Sequence, residues 1–412
     1  MKLRIKDIST KVGSGVTPRG GAEVYQETGI PLYRSQNVTD DGFITDSIAH
    51  ISKEIDEEMS GTRIKPGDVL LNITGASIGR CYYTDDSFKC GNVNQHVCII
   101  RPRQKVIIPA YLHLLLVSKK GKDYINISQT GSGREGLTSQ VIRNFSFDIP
   151  PLSVQQRIVS YLDDKTAKID RAVLLLQKKR DAYTRWKSSI INRAVTRGLN
   201  PNVKLKDSGI EWIGMIPENW IIRRFKEVFS HYTTGFTPES KNANNFEGHN
   251  TWITIADMIQ KYVSESNLCL SDEAVQKAQQ PITPKGSLLF SFKLSIGKVA
   301  FAEKDLYTNE AIVSLMPSSR YKLDFFYYYL PIVCFNNATE NIYGAKMLNQ
   351  KIISNMIFAL PSLEEQCAIA SYLDTHCSRI DNAISIVDKQ IDAYKRLKKS
   401  LINEVVTGRR QI

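Results

Sequence analysis

Apolar residues recur at every seventh position in two stretches of the chain. Such a repeat is the period of a helix that packs lengthwise against another helix. The pattern predicts two long helices, over residues 150–198 and 361–408, that pair with each other as an antiparallel coiled coil. The predicted seam residues are Leu162, Ile169, Leu176, Tyr183 and Ile190 in the first helix and Leu373, Ile380, Val387, Tyr394 and Leu401 in the second.

The two predicted helices are copies of each other. At a fixed offset of 211 residues, 22 positions are identical between residues 150–196 and 361–407, which indicates an internal duplication. Ser153 with Gln156 and Ser362 with Glu365 fit a capping box at the helix starts, and Gly198 favours an end of the first helix. Pattern alone leaves open a helical hairpin that only holds a dimer together.

The stretch before each predicted helix has a different pattern. Short β-rich runs alternate with clusters of Gly, Asn, Asp and Thr, as in residues 67–83 and 286–301. Weak repeats connect the two stretches, such as GVTP at 15–18 with GFTP at 235–238 and SIGR at 77–80 with SIGK at 295–298. We therefore predict an α+β fold with β-rich domains at 1–149 and 221–360, each followed by a rod helix, and a connection at 199–220.

Composition narrows the class of protein. The chain of 412 residues carries a formal net charge of +12, which favours a polyanionic partner such as nucleic acid. The longest apolar run, residues 325–335, is about half a membrane span and contains Pro331. The N-terminal residues lack the apolar core of a signal peptide, so we expect a cytoplasmic protein without membrane attachment.

The motifs of common catalytic and metal sites are absent from the sequence. It contains no GxxxxGK[ST] phosphate loop, no glycine-rich cofactor loop and no [ND]PP[YFW] tetrapeptide. Seven cysteines without a CxxC pair and six scattered histidines argue against a zinc site, a disulfide framework or a triad. We therefore expect no catalytic residue, no metal and no cofactor bound by this chain. A self-sufficient methyltransferase is disfavoured for the same reason.

Several phrases together resemble one protein family. IPPLSVQQRIVSYLDDKTAKID, LPSLEEQCAIASYLDTHCSRID, the linker KLKDSGIEWIGMIPENW and the GxTP and SIGR/SIGK pieces are similar to the specificity subunit of type I restriction-modification systems. The resemblance covers essentially the whole chain. It implies two target recognition domains that each read one half of a split sequence in double-stranded DNA. The coiled coil would set the gap between the half-sites.

The resemblance also implies partners. Two adenine methyltransferase subunits and the restriction/translocase subunits would bind S-adenosylmethionine, ATP and Mg and perform the catalysis, while this chain is not an enzyme. The alternative is an adaptor that binds proteins instead of DNA through two modules on a coiled coil.

Polar residues in the loops beside the shared pieces are the candidate DNA contacts, because their types suit phosphates and base edges. In the first domain they are Arg34, Gln36, Asn37, Arg80, Asn94, Gln95 and Arg134, and in the second Lys241, Asn244, Thr254, Lys293, Lys298, Asn309 and Lys346.

Overall fold

The computed structural model describes residues 1–129, 136–293, 295–340 and 346–412. They form two compact units: unit 1 contains residues 1–177 with 389–412, and unit 2 contains residues 178–388. Both long helices contribute to both units, because each unit combines one β-rich domain with parts of the two rods. The predicted domain boundaries fall instead at the ends of the rods.

Unit 1 begins with a β-rich domain. Its strands and helices are β1 (Lys2–Arg4), α1 (Ile5–Ile8), β2 (Ser9–Ser14), β3 (Ile30–Tyr33), β4 (Ala49–Ile51), α2 (Lys53–Glu58), β5 (Val69–Asn72), β6 (Cys81–Tyr83), β7 (Asn92–Val93), β8 (Val97–Pro102), α3 (Pro109–Val117), α4 (Lys119–Gln129), α5 (Ser139–Arg143), β9 (Ser146–Asp148) and the rod helix α6 (Leu152–Arg197). One sheet has the order β2-β8-β5-β6 and another the order β4-β3-β7, while β1 pairs with β9.

Unit 2 repeats this plan with different lengths. Its elements are β10 (Leu205–Asp207), β11 (Met215–Pro217), β12 (Ile221–Arg224), α7 (Phe225–Val228), β13 (Tyr232–Thr234), β14 (Asn250–Ile253), β15 (Tyr262–Val263), β16 (Cys269–Leu270), α8 (Asp272–Ala278), β17 (Leu288–Ser291), β18 (Val299–Ala302), β19 (Tyr307–Thr308), β20 (Ile312–Leu315), α9 (Leu323–Asn337), β21 (Thr339–Glu340), β22 (Lys346–Met347), α10 (Gln350–Asn355), β23 (Ile357–Leu360) and the rod helix α11 (Leu363–Val406). The sheet β13-β20-β17-β18-β15 corresponds to β2-β8-β5-β6 of unit 1.

Central strands of both domains are buried along their whole length. Every residue of β5 and of β17 is buried, as expected for continuous apolar runs covered on both faces. Helices α3 and α9 pack on these sheets and are apolar nearly all round, with Tyr111 and Phe325 almost fully buried. The predicted α+β class is confirmed.

The rods have the predicted extent. Helix α6 has 46 residues and α11 has 44, so each is roughly 65 to 70 Å long at 1.5 Å per residue. Ser362 caps α11, because its hydroxyl accepts a hydrogen bond from the Glu365 amide at 3.2 Å. The capping-box prediction for α6 is wrong, since this helix already begins at Leu152 and Ser153 lies inside its first turn. Gly198 ends α6 with φ of 73°, a conformation that glycine adopts without strain.

Ion pairs join the two rods within each unit, and all of them follow the same alignment of one helix against the other. In unit 2, Lys187 Nζ lies 2.6 Å from Asp381 Oδ2, and Arg180 Nη1 lies 3.7 Å from Asp388 Oδ1. The residue numbers fall on α6 as they rise on α11, so the helices are antiparallel here. In unit 1, Lys398 Nζ lies 2.9 Å from Asp170 Oδ2. This pair is the image of Lys187–Asp381 at the 211-residue offset.

Burial of the predicted seam residues follows the same division. Leu162, Ile169 and Leu401 are buried in unit 1, and Leu373, Ile380 and Val387 are buried in unit 2. Leu176, Tyr183 and Ile190 are half-buried, while Tyr394 is 37% exposed. The seam is therefore tightest where the rod also packs on a β-rich domain.

Within the described residues, no helix is long and apolar enough to cross a membrane. The same residues contain no group of His, Cys, Asp and Glu that could hold a metal ion.

Candidate nucleic-acid interface

Four loops meet at one edge of the β-rich domain in unit 1. We define rim 1 as residues 15–18, 34–37, 73–77 and 94–96. The Asn94 amide donates to the Tyr33 carbonyl at 3.2 Å, and the Ile73 amide donates to the His96 carbonyl at 3.0 Å. These backbone hydrogen bonds join the ends of β3, β5 and β7 and hold their loops side by side.

Unit 2 presents the same edge with the same backbone contacts. We define rim 2 as residues 235–238, 254–257, 292–293 and 309–311. The Asn309 amide donates to the Ile253 carbonyl at 3.0 Å, and the Phe292 amide donates to the Ala311 carbonyl at 3.0 Å. The scaffold of the two rims is therefore shared, although their side chains differ.

A glycine in each GxTP piece allows the first loop of the rim to approach the neighbouring strand closely. The amides of Gly15 and Gly235 donate to Val97 and Ile312 at 3.0 and 3.2 Å. A Cβ atom at Gly15 would overlap the Val93 carbonyl, and one at Gly235 would overlap the Thr308 carbonyl. Only glycine permits this approach, so the repeated GxTP phrase has a structural cause.

In rim 1, the predicted contact residues differ in exposure. Gln36 and Gln95 are exposed, whereas Asn37 is fully buried and its amide donates to the Ile44 carbonyl at 3.0 Å. Asn94 is also buried, and its side-chain oxygen accepts from the His96 amide at 3.2 Å. The two asparagines shape the loops, and the two glutamines face solvent beside them.

The remaining predicted residues of unit 1 lie at different places. Arg34 is half-buried, donates to the Ser47 carbonyl at 3.1 Å and lies over the Tyr25 ring at 5.5 Å. Arg80 lies outside rim 1, at a cavity between the domain and the rods. Arg134 lies outside the described residues.

Three of the predicted residues in unit 2 support the loops of rim 2. The Thr254 hydroxyl donates to Asp257 at 2.7 Å, and Lys298 Nζ donates to the Ile255 carbonyl at 2.9 Å. The side-chain oxygen of Asn309 accepts from the Ala311 amide at 3.2 Å, which is the same turn that Asn94 forms in rim 1.

The other four predicted residues have exposed or half-buried side chains. Lys293 is exposed in rim 2, and Lys346 covers the Phe335 ring at 3.3 Å. Lys241 and Asn244 are exposed on the segment that precedes β14. That segment is near rim 2, because Phe246 and Phe236 both pack against Trp252.

The predicted DNA contacts omit two side chains of the rims, since the sequence favoured an ordinary strand or loop histidine for His96 over a DNA contact. His96 lies between Thr74 Oγ1 at 2.6 Å and Gln95 Nε2 at 3.0 Å, so it organises the exposed centre of rim 1. Glu310 occupies the position of Gln95 in rim 2 and accepts a hydrogen bond from the Thr237 hydroxyl. Aligning VNQHV with TNEAI around the shared asparagine turn is the signal that could have found both.

A buried glutamine fastens each β-rich domain to its rod. The side-chain oxygen of Gln155 in α6 accepts from the Ile108 amide at 2.9 Å, where α3 begins. Its amide donates to the Val106 and Pro150 carbonyls at 2.9 and 2.8 Å. Gln366 in α11 accepts from the Lys322 amide at 3.0 Å, where α9 begins. The starts of α3 and α9 are thus fixed relative to the first turns of the rods.

A family model described as the type I restriction modification DNA specificity domain matches residues 1–174 and again residues 217–388. The chain belongs to this specificity family. The two matches contain the two rims and the helices that support them, and they support the resemblance read from the sequence.

Relatives in the type I specificity family are similar over most of their length. The MjaVIII specificity subunit of Methanocaldococcus jannaschii is 21% identical over 391 residues, which cover 92% of this chain and 85% of that protein. The EcoKI specificity subunit of Escherichia coli K12 is 20% identical over 383 residues, which cover 87% of this chain and 79% of that protein.

Solved structures have the same fold. A chain from a study of complex assembly and conformational transition of the type I R-M system has a TM-score of 0.76 at 17% identity, covering 99% of this chain and 97% of its own. The HsdS subunit of Thermoanaerobacter tengcongensis has a TM-score of 0.53 at 19% identity, covering 99% and 96%. The family assigns the chain a non-catalytic DNA specificity function and disfavours the adaptor alternative.

Proposed function

We propose that the chain directs a type I restriction-modification complex to a split DNA sequence, with one half-site read at rim 1 and the other at rim 2. The observation that carries this proposal is the repeated rim, in which one backbone scaffold presents different side chains. Two readers with one ancestry but different exposed groups are what two unlike half-sites require. The β-rich domains at 1–149 and 221–360 are the proposed target recognition domains.

Sequence readout is assigned to exposed or half-buried polar side chains of the rims. Gln36, Gln95 and His96 in rim 1 and Lys293 and Glu310 in rim 2 are of the types that recognise base edges. The buried asparagines Asn37 and Asn94 position them. Basic residues around the rims, among them Lys241 and Lys346, neutralise phosphates and supply the salt-dependent part of the affinity.

The chemistry belongs to partner subunits in the cytoplasm. Methyltransferase subunits that bind S-adenosylmethionine modify adenines, and restriction subunits that use ATP and Mg translocate and cut DNA. The present chain supplies the sequence specificity and sets the length of the gap between the half-sites. Its rods set that gap because they connect the two recognition domains through continuous helices.

Two equivalent apolar patches on the rods fit two copies of one partner. In unit 1 the exposed apolar side chains include Leu174, Leu175 and Leu397, and in unit 2 they include Trp186 and Ile386; all five are at least half exposed. Leu175 and Ile386 are related by the 211-residue offset, and so are Trp186 and Leu397. Exposed apolar patches commonly mark protein contacts, so we assign one methyltransferase subunit to each patch.

The deciding experiment is to coexpress the chain with its methyltransferase subunit and to map methylated adenines across a genome. We expect a motif of two short half-sites separated by a constant gap. Gln95→Ala should change the bases accepted in one half-site only, and Glu310→Ala should change the other only. Lys178→Ala, an exposed rod substitution, is the control and should leave the motif unchanged.

A continuous motif would refute the proposal, and so would a change of both half-sites by a single rim variant. Loss of all methylation in a rim variant that still forms the complex would show that the rims supply affinity instead of sequence readout.

A further inference from the structure

Unit 2 holds an ammonium group in an aromatic box beside its rod. Lys261 Nζ lies 5.1 to 5.9 Å from the ring centroids of Tyr262, Phe301, Tyr327 and Tyr328. It also lies 2.5 Å from Asp374 Oδ1 on α11. Ring faces and a carboxylate together stabilise a cation that has lost part of its water. The box is therefore a built cation site that the chain fills with its own lysine.

Unit 1 repeats the carboxylate and one wall of this box. Asp163 precedes Asp374 by 211 residues on the other rod. Tyr83 and Phe301 occupy the same strand position, because they pair with Val69 in β5 and Leu288 in β17.

The second wall is repeated as well. His113 and Tyr327 each lie five residues after the N-cap whose amide is bound by the buried glutamine. The His113 ring lies 5.8 Å from that of Tyr83, and the Tyr327 ring lies 5.7 Å from that of Phe301. Tyr82 adds a further ring, 5.0 Å from Tyr83 and 5.1 Å from His113.

Within the described residues of unit 1, Asp163 has no counterpart of the Lys261–Asp374 ion pair. Among the contacts of the described residues, Asp163 makes no hydrogen bond and no ion pair, whereas Asp374 accepts from both Lys261 and Tyr328. Burial raises the pKa of Asp163. The pKa of Tyr83 is raised to about 12, chiefly by burial and in part by the neighbouring Tyr82 and Asp163. The carboxylate and the rings thus lack a cation.

A cavity of about 1090 Å³ opens onto this position, between β6, α3 and the rods of unit 1. Two of the cations in its wall are already neutralised: Lys398 lies 2.6 Å from Asp41 and 2.9 Å from Asp170, and Lys122 lies 3.0 Å from Asp40.

Two further lysines in the wall lie away from Asp163. By the rod register, Lys399 and Lys395 stand opposite positions 169 and 173, roughly 9 and 15 Å along α6 from Asp163. Arg80 also faces the cavity.

We propose that this cavity binds a primary alkylammonium group, which pairs with Asp163 between the rings of Tyr83 and His113 as Lys261 does with Asp374. A lysine side chain of a partner protein and a free polyamine both carry this group. The site is separate from the rims and does not depend on their role in DNA readout.

The test measures the binding of spermidine to the full chain by isothermal titration calorimetry. Wild type should bind one equivalent saturably. Asp163→Asn should weaken binding by about tenfold or more. Asp164→Asn makes the same change of charge on the adjacent rod position and should not weaken binding, because Asp164 pairs with Lys168 instead. Equal binding by all three proteins, or no saturable binding in wild type together with no crosslink in the assembly below, would overturn the proposal.

Folding is a separate readout. Because the Asp163 side chain is exposed and makes no hydrogen bond or ion pair among the described residues, Asp163→Asn should leave the urea-unfolding midpoint unchanged. A lowered midpoint would show that the carboxylate already has an internal partner, which contradicts the proposal.

The source of the ammonium group is resolved in the assembly with the methyltransferase subunits. If a partner lysine occupies the site, spermidine should no longer bind there, and a zero-length carbodiimide crosslink should join Asp163 to a partner lysine, as read by mass spectrometry. If a free polyamine occupies it, spermidine binding should persist without the crosslink.

Discussion

A single buried side chain, Gln155, links the first turn of a rod to the β-rich domain of unit 1. Gln155 satisfies the Ile108 amide and two carbonyls at once. We predict that Gln155→Leu lowers the free energy of unfolding by about 2 to 4 kcal/mol, because it leaves buried groups without partners. Urea unfolding of the purified chain measures this. Gln156→Leu is the control, since Gln156 is exposed, and equal losses in both variants would contradict the assigned role.

A second residue makes stability depend on pH. Burial of His113 lowers its pKa to about 4, against opposing effects of Asp40 and Asp41, while Lys122 lowers it further; Tyr82 and Tyr83 cover the ring. The folded chain therefore binds fewer protons here than the unfolded chain. The stabilisation from a neutral His113 is complete above about pH 6.5 and is lost as the pH falls toward about 4.

Urea unfolding at pH 7 and pH 4.5 tests this pH dependence. We predict that the loss of free energy between the two pH values is about 2 to 3 kcal/mol smaller in His113→Phe than in wild type. His231→Phe, at an exposed position, should behave as wild type. An unchanged pH dependence in His113→Phe would show that other groups cause it.

At the scale of the element, the rods combine a buried seam with exposed apolar patches. We predict that Leu175→Ser with Leu397→Ser weakens binding of one methyltransferase subunit by about 100-fold, because two apolar side chains lose their burial. Native mass spectrometry should then show one bound copy in place of two. Ile259→Ser, at an 81% exposed position outside the rods, should retain both copies. Retention of both copies by the rod variant would remove these patches from the interface.

At the scale of the whole molecule, the proposed gap depends on rod length. We predict that seven residues inserted into both rods, between 177 and 178 and between 388 and 389, lengthen the unread gap by about three base pairs, since a heptad adds about 10.5 Å. Both half-sites should stay the same. Methylation mapping measures the gap length. Insertion of a heptad into one rod only, which breaks the ion-pair register, is the comparison. An altered half-site in the doubly extended chain would contradict the division between reading and spacing.

The sequence predicted the rods closely because their information is local. Heptads and Gly198 placed the helix ends within two residues. The rims were only partly predictable, since the burial of Asn37 and the position of Arg80 depend on segments far away in the chain. Gln155 shows the same limit: two of its three partners precede it by 47 and 49 residues, and nothing in the local pattern identifies these two.

The repeated ion pair indicates how the internal duplication of the chain arose. Asp170 meets Lys398, and Lys398 is the copy of Lys187. A chain of half this length would carry Asp170 and Lys187 together, so two identical copies could have met through the same contact made twice. Such an ancestor would have been a homodimer that reads a palindrome. Duplication and fusion of its gene would release each proposed reader from that symmetry and let the two halves of the proposed target diverge.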